Sequence, residues 1–301
     1  MRTHNLSLAT AAACLIASLP SLPRACGDIV TLVPSHDTTL IEIQPDRNNG
    51  GQAWVNAGTT QNGTRNRGLF QWDLTGVIPS GATVESVDVT LEVTRVPGCG
   101  IANSSFSLYR MLRSWGEGDK VALDNAGGQG APATLGEATW NERFFGARRW
   151  AAPGGLAGVD FLASPSASDY IYDRGRSPYT FASGSELVAD VQGWVKDPSS
   201  NFGWLLMTDD EGTPFTARHF GSREDPNAPP LLTIEFAVVP EPGWLTLCAI
   251  GLAALAGYLG RKLRPLREGE APARLPPNPN ERPLRDRARE EKRVTLLRSW
   301  I

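Results

Sequence analysis

Histidine and cysteine, which often carry enzyme chemistry and zinc, are scarce: the 301 residues include three His and four Cys. His4 lies in the N-terminal apolar segment, which leaves His36 and His219 for the rest of the chain. No group of Cys and His has the spacing of a zinc site. The sequence also lacks a Gly-x-Ser-x-Gly elbow, a His-Glu-x-x-His helix and a phosphate-binding Gly-Lys-Ser/Thr loop. We therefore predict that the protein is not an enzyme.

The central part of the chain has no surplus of positive charge. Residues 28–240 contain 15 basic and 25 acidic side chains, whereas residues 261–301 contain 12 basic and 6 acidic ones. Nucleic-acid binding depends on Lys and Arg that neutralise phosphates, so we predict that the acidic centre does not bind nucleic acid. A hydrophobic content of 41% is sufficient for a folded core.

Two of the four cysteines, Cys14 and Cys248, lie in apolar segments near the ends of the chain. Cys26 and Cys99 therefore remain for the central region. In an oxidising compartment they can form a disulfide, which would stabilise the fold by ~3–5 kcal/mol. The alternative is that Cys26 belongs to a processing site and Cys99 is a lone thiol.

The N-terminus, residues 1–26, has the features of a secretory signal peptide. Arg2 supplies the positive start, an uncharged Ala-rich stretch follows over residues 6–22, and small residues occur near Ala25. We therefore predict that the chain is exported and cleaved by signal peptidase. The alternative, a lipoprotein acylated at Cys26, lacks the Leu expected three residues before the cysteine.

Residues 239–264 form a second terminal signal around an apolar run over residues 244–259. The motif that precedes the run is Pro240, Glu241 and Pro242. The basic cluster that follows it is Arg261, Lys262 and Arg264. The run is short for a hydrocarbon core ~30 Å thick, but tilting allows it to form a single transmembrane helix. Because basic residues stay on the cytoplasmic side, the preceding domain is predicted to lie outside.

This arrangement resembles the PEP-CTERM sorting signal of exopolysaccharide-producing bacteria. The resemblance implies recognition by an exosortase, brief anchorage in the inner membrane, and later transfer to the cell surface or extracellular matrix. An ordinary single-span anchor is the alternative. Residues 265–301 depart from the pattern, because members of the family stop soon after the basic cluster. Their proline-rich and charge-rich composition predicts a disordered tail.

The centre of the chain has the pattern of short β-strands separated by turns. Strand-like segments are residues 69–74, 84–93, 105–112, 202–207 and 231–236. One helix is predicted over residues 186–196, with Ser185 as its N-cap and Asp197-Pro198 at its end. Many short strands favour an all-β fold, a jelly-roll-like β-sandwich, as one domain over residues 28–238.

Several short motifs occur in a specific order in this domain. They are residues 67–74, 78–84, 114–118, 138–141, 187–194 and 201–206. In order and spacing they resemble the DNRLRE (disaggregatase-related) domain, over residues 37–236. The resemblance implies a jelly-roll β-sandwich and, as in some members, binding of polysaccharides such as alginate. The segments 125–136 and 151–168, rich in Gly, Ala and Pro, depart from the pattern and are predicted to be long loops.

A carbohydrate site would use exposed aromatic rings and guanidinium groups. Three tryptophans on apolar faces are predicted to be core residues: Trp72, Trp194 and Trp204. The candidate sugar-binding residues are Trp115, Trp140, Trp150, Arg65 and Arg67. The three candidate tryptophans match positions in the family, and the arginines, with Arg218, could pair with sugar carboxylates. The alternatives are packing for the tryptophans and salt bridges to the acidic surface for the arginines.

Acidic side chains suggest two further kinds of site. Glu117 with Asp119, or Glu137 with Glu142, could act in glycoside hydrolysis if the carboxyl groups lay ~5–9 Å apart. Solvated acidic surface is the alternative for these residues. A structural Ca²⁺ could be held by Asp209 and Asp210 at one site, or by Asp37 and Asp46 at a second site. Ordinary turn residues are the alternative.

Together these features predict an exported surface or matrix protein that binds a polysaccharide without turning it over. A structural or adhesion protein that binds no glycan is the first alternative, and a polysaccharide-active enzyme is the second. Binding to immobilised polysaccharides distinguishes the first alternative, and release of reducing ends or unsaturated sugars distinguishes the second.

Overall fold

The computed structural model describes residues 27–122, 129–238 and 244–262. The chain divides into two compact units, Met1–Glu241 and Pro242–Ile301. In the first unit, antiparallel strands pack around an apolar core. In the second, one helix is described, Trp244–Lys262.

Most of the first unit is built from short β-strands. In chain order they are β1 (Gly27–Leu32), β2 (His36–Ile41), β3 (Arg47–Asn48), β4 (Trp54–Thr59), β5 (Arg65–Gln71), β6 (Thr83–Leu91), β7 (Val93–Arg95), β8 (Ser104–Arg110), β9 (Ala131–Pro132), β10 (Glu142–Phe144), β11 (Arg148–Arg149), β12 (Ala167–Ile171), β13 (Tyr179–Phe181), β14 (Trp204–Thr208), β15 (Arg218–Gly221) and β16 (Leu231–Ala237). The prediction of a mostly β fold is confirmed.

Two larger sheets organise these strands. The smaller has the order β1-β16-β6-β13, and the larger has the order β12-β8-β14-β5-β4-β15-β7. Strand β2 also pairs with β5, along His36–Ile41 and Asn66–Gln71. Because β5 bonds β14 near its C-terminal end and β4 near its N-terminal end, it lies at the centre of a curled antiparallel sheet. Two short ladders, β10-β11 and β3-β9, complete the pairing of the named strands.

The main core draws on both larger sheets. Val87 and Val89 of β6 and Ile234 of β16 belong to the same buried cluster as Phe70 of β5 and Phe106 of β8. Along β6, buried apolar side chains alternate with polar ones, as expected for a strand with one face in the core. Burial of this face, at roughly 25 cal/mol per Å² of apolar surface, drives the two sheets together.

A second core lies on the other face of the larger sheet. Phe70 belongs to the main core, whereas its neighbour Leu69 belongs to a cluster with Trp115, Trp140 and Trp150. Residues of β14 divide between the two clusters in the same way, because successive side chains of a strand point to opposite faces. Residues 111–122 and 129–161, which contribute most members of the second cluster, therefore form a cap over this face of the sheet. We call this segment the cap.

One α-helix, α1 (Ser185–Lys196), packs against the main core. Its buried residues recur at helical spacing, and they are Leu187, Asp190, Val191, Trp194 and Val195. The N-cap is Gly184 and not Ser185, which is the first helical residue and hydrogen-bonds the Glu186 carboxylate through its hydroxyl. The helix ends at Lys196, before Asp197-Pro198, as predicted.

The helix of the second unit, α2 (Trp244–Lys262), coincides with the apolar run that follows the Pro-Glu-Pro motif. Among the residues described here, no helix reaches the length and hydropathy needed to cross a membrane. The predicted signal peptide over residues 1–26 and the predicted tail over residues 265–301 lie outside the described residues.

The two segments predicted to be loops contain more order than expected. Strand β9 lies within residues 125–136, and β12 begins at Ala167, within residues 151–168. Strand β12 pairs with β8 along its whole length, and Ser166 donates a hydrogen bond to the buried Asp190 carboxylate. These pairings join residues that are distant in sequence, so the local composition did not indicate them.

Candidate functional site

The three candidate sugar-binding tryptophans form the centre of the cap core. Trp115, Trp140 and Trp150 are 7%, 4% and 5% exposed. The indole of Trp115 donates to the Phe202 carbonyl at 3.0 Å, and that of Trp150 donates to the Thr139 carbonyl at 2.9 Å. The expectation of exposed rings at these positions was wrong, because the cap closes over them.

The two candidate arginines are engaged by carboxylates. Arg67 donates from two nitrogens to the two Glu211 oxygens, each at 2.7 Å, and is 8% exposed. Arg65 pairs with Glu42, and its charge and hydrogen bonds lower the pKa of that carboxyl. Both guanidinium groups lie over the Trp140 ring, 5.3 and 5.5 Å from its centroid. The pair thus fastens the cap to β5, which fits the salt-bridge alternative.

Arg218 has no exposed surface and serves the fold. It donates to the carbonyls of Tyr172, Thr216 and Ala102 at distances between 2.6 and 2.9 Å. Burial lowers the pKa of this guanidinium. The side chain thereby ties three separate backbone segments to β15.

The candidate acidic residues are placed apart from any open cleft or are bonded within the fold. Glu117 contacts Arg223 at 2.7 Å, and burial raises the pKa of its carboxyl. Glu137 contacts Lys120 at 2.8 Å. Glu142 accepts a hydrogen bond from the Gly146 amide at 2.6 Å, and Asp119 is paired with Lys120.

The four candidate calcium ligands have different surroundings. Burial raises the pKa of Asp37 well above its usual range, and the Arg223 amide donates to this carboxyl at 2.7 Å. Asp46 accepts from Asn141 at 3.0 Å, Asp209 accepts from Ser107 at 2.6 Å, and Asp210 accepts from Thr213. Within residues 27–122, 129–238 and 244–262, no group of three His, Cys, Asp or Glu side chains could hold a metal ion.

Several predicted sites fall at or beyond the limits of the described residues. Pro240, Glu241, Pro242 and Arg264 lie outside them, and Arg261 and Lys262 are the last two residues of α2. Cys99 is exposed in the turn after β7, whereas Cys26 lies outside the described residues. The disulfide between these cysteines therefore stays a prediction.

A cleft of about 320 Å³ opens at one end of the curled sheet. It is formed by the ends of β2 and β5, the β4–β5 turn, the turn after β7, and β15. Its polar lining consists mainly of amide and hydroxyl side chains: Gln61, Asn62, Asn66, Gln129, Thr60 and Thr64. Ile41, Ile43 and Val96 supply apolar surface.

The cleft differs in charge from the acidic domain around it. Among its described lining residues no carboxylate occurs, and Arg95 is the one Lys or Arg side chain. Arg95 is exposed, and it makes no salt bridge to any acidic side chain that the structure describes. A guanidinium in this state can bind a carbonyl, hydroxyl or anionic group.

Asn66 is the most deeply placed amide of the cleft. It is 4% exposed, and no described residue hydrogen-bonds its side chain. Buried amides are normally paired, so an amide that lines a cleft without a partner marks a position where a ligand or water would bind. The neighbouring amides of Gln61 and Asn62 are exposed on the β4–β5 turn.

His219 and Ala217 line the cleft at β15, whereas Trp54, on which His219 stacks, is not a lining residue. His219 lies on the ring of Trp54 with centroids 5.2 Å apart and planes inclined by 19°. Burial, followed by the charge of Arg95, lowers the His219 pKa to about 4, so the imidazole is neutral at pH 7. On β4, Asn56 pairs with His219 and is 2% exposed. Neither the side-chain amide of Asn56 nor the Nε1 of Trp54 has a hydrogen-bond partner among the described residues.

Sequence reasoning missed this cleft because its residues come from five separate segments. Strand β4 contains Asn56 and Gly58, which are poor strand formers, so its pattern did not indicate a strand. The one signal in the sequence was the scarcity of histidine, which singled out His36 and His219, and His219 lines the cleft.

Comparison with known proteins adds no relative. A scan against protein-family models finds no match, and a search of the curated proteins finds no matching sequence.

Proposed function

We propose that this chain is an exported cell-surface or matrix protein that binds a polysaccharide in the cleft around Asn66 and Arg95, without turning it over. The observation that carries the proposal is the cleft lining, which combines neutral amides, one guanidinium and no carboxylate among the described residues. Sugar hydroxyls act as both donors and acceptors, so amide side chains match them well. The flat ring of His219 lines the same cleft and offers a surface of the kind that sugar rings contact.

The finer parts of the proposal rest on the sequence. The ordered motifs support a DNRLRE-type jelly roll. The Pro-Glu-Pro motif, the apolar run and the basic cluster support a PEP-CTERM signal that places the chain transiently in the inner membrane through one helix. An exosortase and signal peptidase are then its processing partners, and Ca²⁺ is an optional structural ion. A structural or adhesion role without glycan binding remains the alternative.

A retention experiment tests the binding proposal. The full-length chain in mild detergent is passed over immobilised alginate, pectin, cellulose and chitin, with calcium and with chelator. We expect retention on at least one polymer, weakened about 10-fold or more in Arg95→Gln, because a hydrogen bond to a charged group contributes roughly 1.5–3 kcal/mol. Asn62→Ala should weaken retention to a smaller extent.

Arg148→Gln is the matched control, since Arg148 is exposed on the cap and does not line the cleft. Equal retention of Arg95→Gln, Arg148→Gln and the unchanged chain would move the binding site away from the cleft. No retention on any polymer would favour the structural or adhesion protein. Release of reducing ends or unsaturated sugars would favour an enzyme.

A further inference from the structure

A second concave site lies at the C-terminal end of α1, and it shares no lining residue with the cleft around Asn66. Two cavities, of about 240 and 290 Å³, are both lined by Leu74, Thr75, Trp194 and Pro198. Together they form one groove between the end of α1 and residues 73–80. Each cavity is slightly smaller than the roughly 300–1,000 Å³ usual for drug-sized ligands, which suits a small ligand.

The groove has an unpaired buried donor in its wall. Trp194 is 1% exposed, lines both cavities, and has no hydrogen-bond partner for its Nε1 among the described residues. The neighbouring Trp204, whose ring centroid is 4.4 Å from that of Trp194, donates its own Nε1 to Asp190 at 2.8 Å. The fold therefore satisfies one indole of this pair and leaves the other without an acceptor among the described residues.

The rim of the groove provides further polar atoms. Gln71 donates its amide to the Asn201 carbonyl at 2.7 Å, and no described residue donates to its Oε1. The Asp73 carboxylate accepts the Thr75 amide at 2.9 Å through one oxygen. His36, beside Ser35 on the rim, shares a hydrogen bond with that hydroxyl at 3.1 Å. Hydrogen-bond acceptors and donors thus lie along one side of the groove.

The other side of the groove is apolar, and the charge of the groove is negative. Leu74, Ile78, Pro79 and Val195 line it together with the Trp194 ring. Neither cavity has a Lys or Arg among its described lining residues, and Asp73 is the one carboxylate. A ligand with an anionic group is therefore disfavoured. A ligand with one apolar face and several hydroxyls fits both sides, which describes a neutral sugar ring.

We infer that this groove is a second binding site, for a single neutral sugar unit, with the Trp194 ring as part of its apolar side and Gln71 and Asp73 as its acceptors. The inference does not depend on the proposed function, because it involves different residues and a ligand of different charge.

The test follows the tryptophan indole resonances of the ¹⁵N-labelled full-length chain in mild detergent. The probes are methyl α-glucoside, methyl α-mannoside and N-acetylglucosamine, with glucuronate as the charged comparison. We expect a saturable shift of the Trp194 indole signal, identified by its absence in Trp194→Phe, with at least one neutral probe. Glucuronate should bind at least about tenfold more weakly than that neutral probe.

Thr75→Tyr should abolish this shift, because Thr75 is exposed at the position common to both cavities. Its matched control is Thr134→Tyr, an exposed threonine outside the groove, which should leave the shift unchanged. Arg95→Gln should also leave it unchanged, which separates this site from the cleft. The inference is overturned if no neutral probe shifts the Trp194 signal, or if the shift persists in Thr75→Tyr. If Trp194→Phe does not fold, the Thr75→Tyr and Thr134→Tyr variants still decide: one indole signal must shift with a neutral probe, lose that shift in Thr75→Tyr and keep it in Thr134→Tyr.

Discussion

Arg218 allows a sharp test of how the β domain is held together. In Arg218→Met, a side chain of similar length fills the site without a charge, and the carbonyls of Tyr172, Thr216 and Ala102 lose their donors. Four of the lost hydrogen bonds are between 2.6 and 2.9 Å long. Hydrogen bonds to a charged group contribute roughly 1.5–3 kcal/mol each, but the cost of burying the guanidinium offsets much of that gain.

We therefore expect Arg218→Met to lower the free energy of unfolding by about 3–5 kcal/mol, because each of the three carbonyls left without this donor costs roughly 1–3 kcal/mol and the removed desolvation cost offsets part of that loss. Arg218→Lys should lose a smaller amount, because the ammonium keeps the charge but cannot reach all three carbonyls with a planar fork. Urea unfolding followed by tryptophan fluorescence measures the difference, and the slope against urea should stay the same.

Arg148→Met is the matched control, since Arg148 is exposed and its loss should change stability by less than about 0.5 kcal/mol. The reasoning is refuted if Arg218→Met lies within about 1 kcal/mol of the unchanged chain, a difference typical of ordinary substitutions. Such a result would mean that the desolvation cost of the guanidinium cancels the gain from its hydrogen bonds to these carbonyls.

Three further predictions follow from single positions. The His219 pKa of about 4 lies below the value of 6.5 in the unfolded chain, so its contribution to stability is present above pH 6.5 and is lost as the pH falls through 4. His219→Gln should therefore reduce the loss of stability between pH 7 and pH 4 by up to about 3 kcal/mol, measured by urea unfolding at both values; an unchanged loss would contradict the shift. Gly203→Ala should destabilise the domain by more than about 1 kcal/mol, because Gly203 has φ +72° and an added Cβ would lie 1.9 Å from the Phe70 carbonyl oxygen; an unchanged thermal midpoint would contradict this. Replacing Pro240, Glu241 and Pro242 by Ala should leave the chain in the membrane fraction of an exosortase-containing host, and normal release in immunoblots would argue for an ordinary anchor.

Much of the main core was predictable from short-range patterns. The alternation along β6 and the helical spacing along α1 place Val87, Val89, Leu187 and Val191 in the core, where the structure has them. Such patterns record directly which face of a strand or helix is apolar, because side-chain direction follows the period of the backbone.

The candidate site was far less predictable. Trp115, Trp140 and Trp150 stand beside loops in the sequence, but the loops fold back over them as the cap. The local sequence does not distinguish an exposed, ligand-binding tryptophan from one that the chain itself covers, because both lie in Gly-rich and Ala-rich surroundings. In the same way, the pairing of Arg67 with Glu211 joins positions 144 residues apart.

The sequence by itself therefore determined the class of the fold, the position of the helix and the acidic character of the domain, since these depend on composition and on periods of two or 3.6 residues. Only the tertiary structure decided which aromatic residues are covered, that Arg95 lines a cleft without a salt bridge, and where that cleft opens. These outcomes depend on contacts between distant segments: Asn66, Arg95 and His219 meet because β5, β7 and β15 curl to the same end of one sheet.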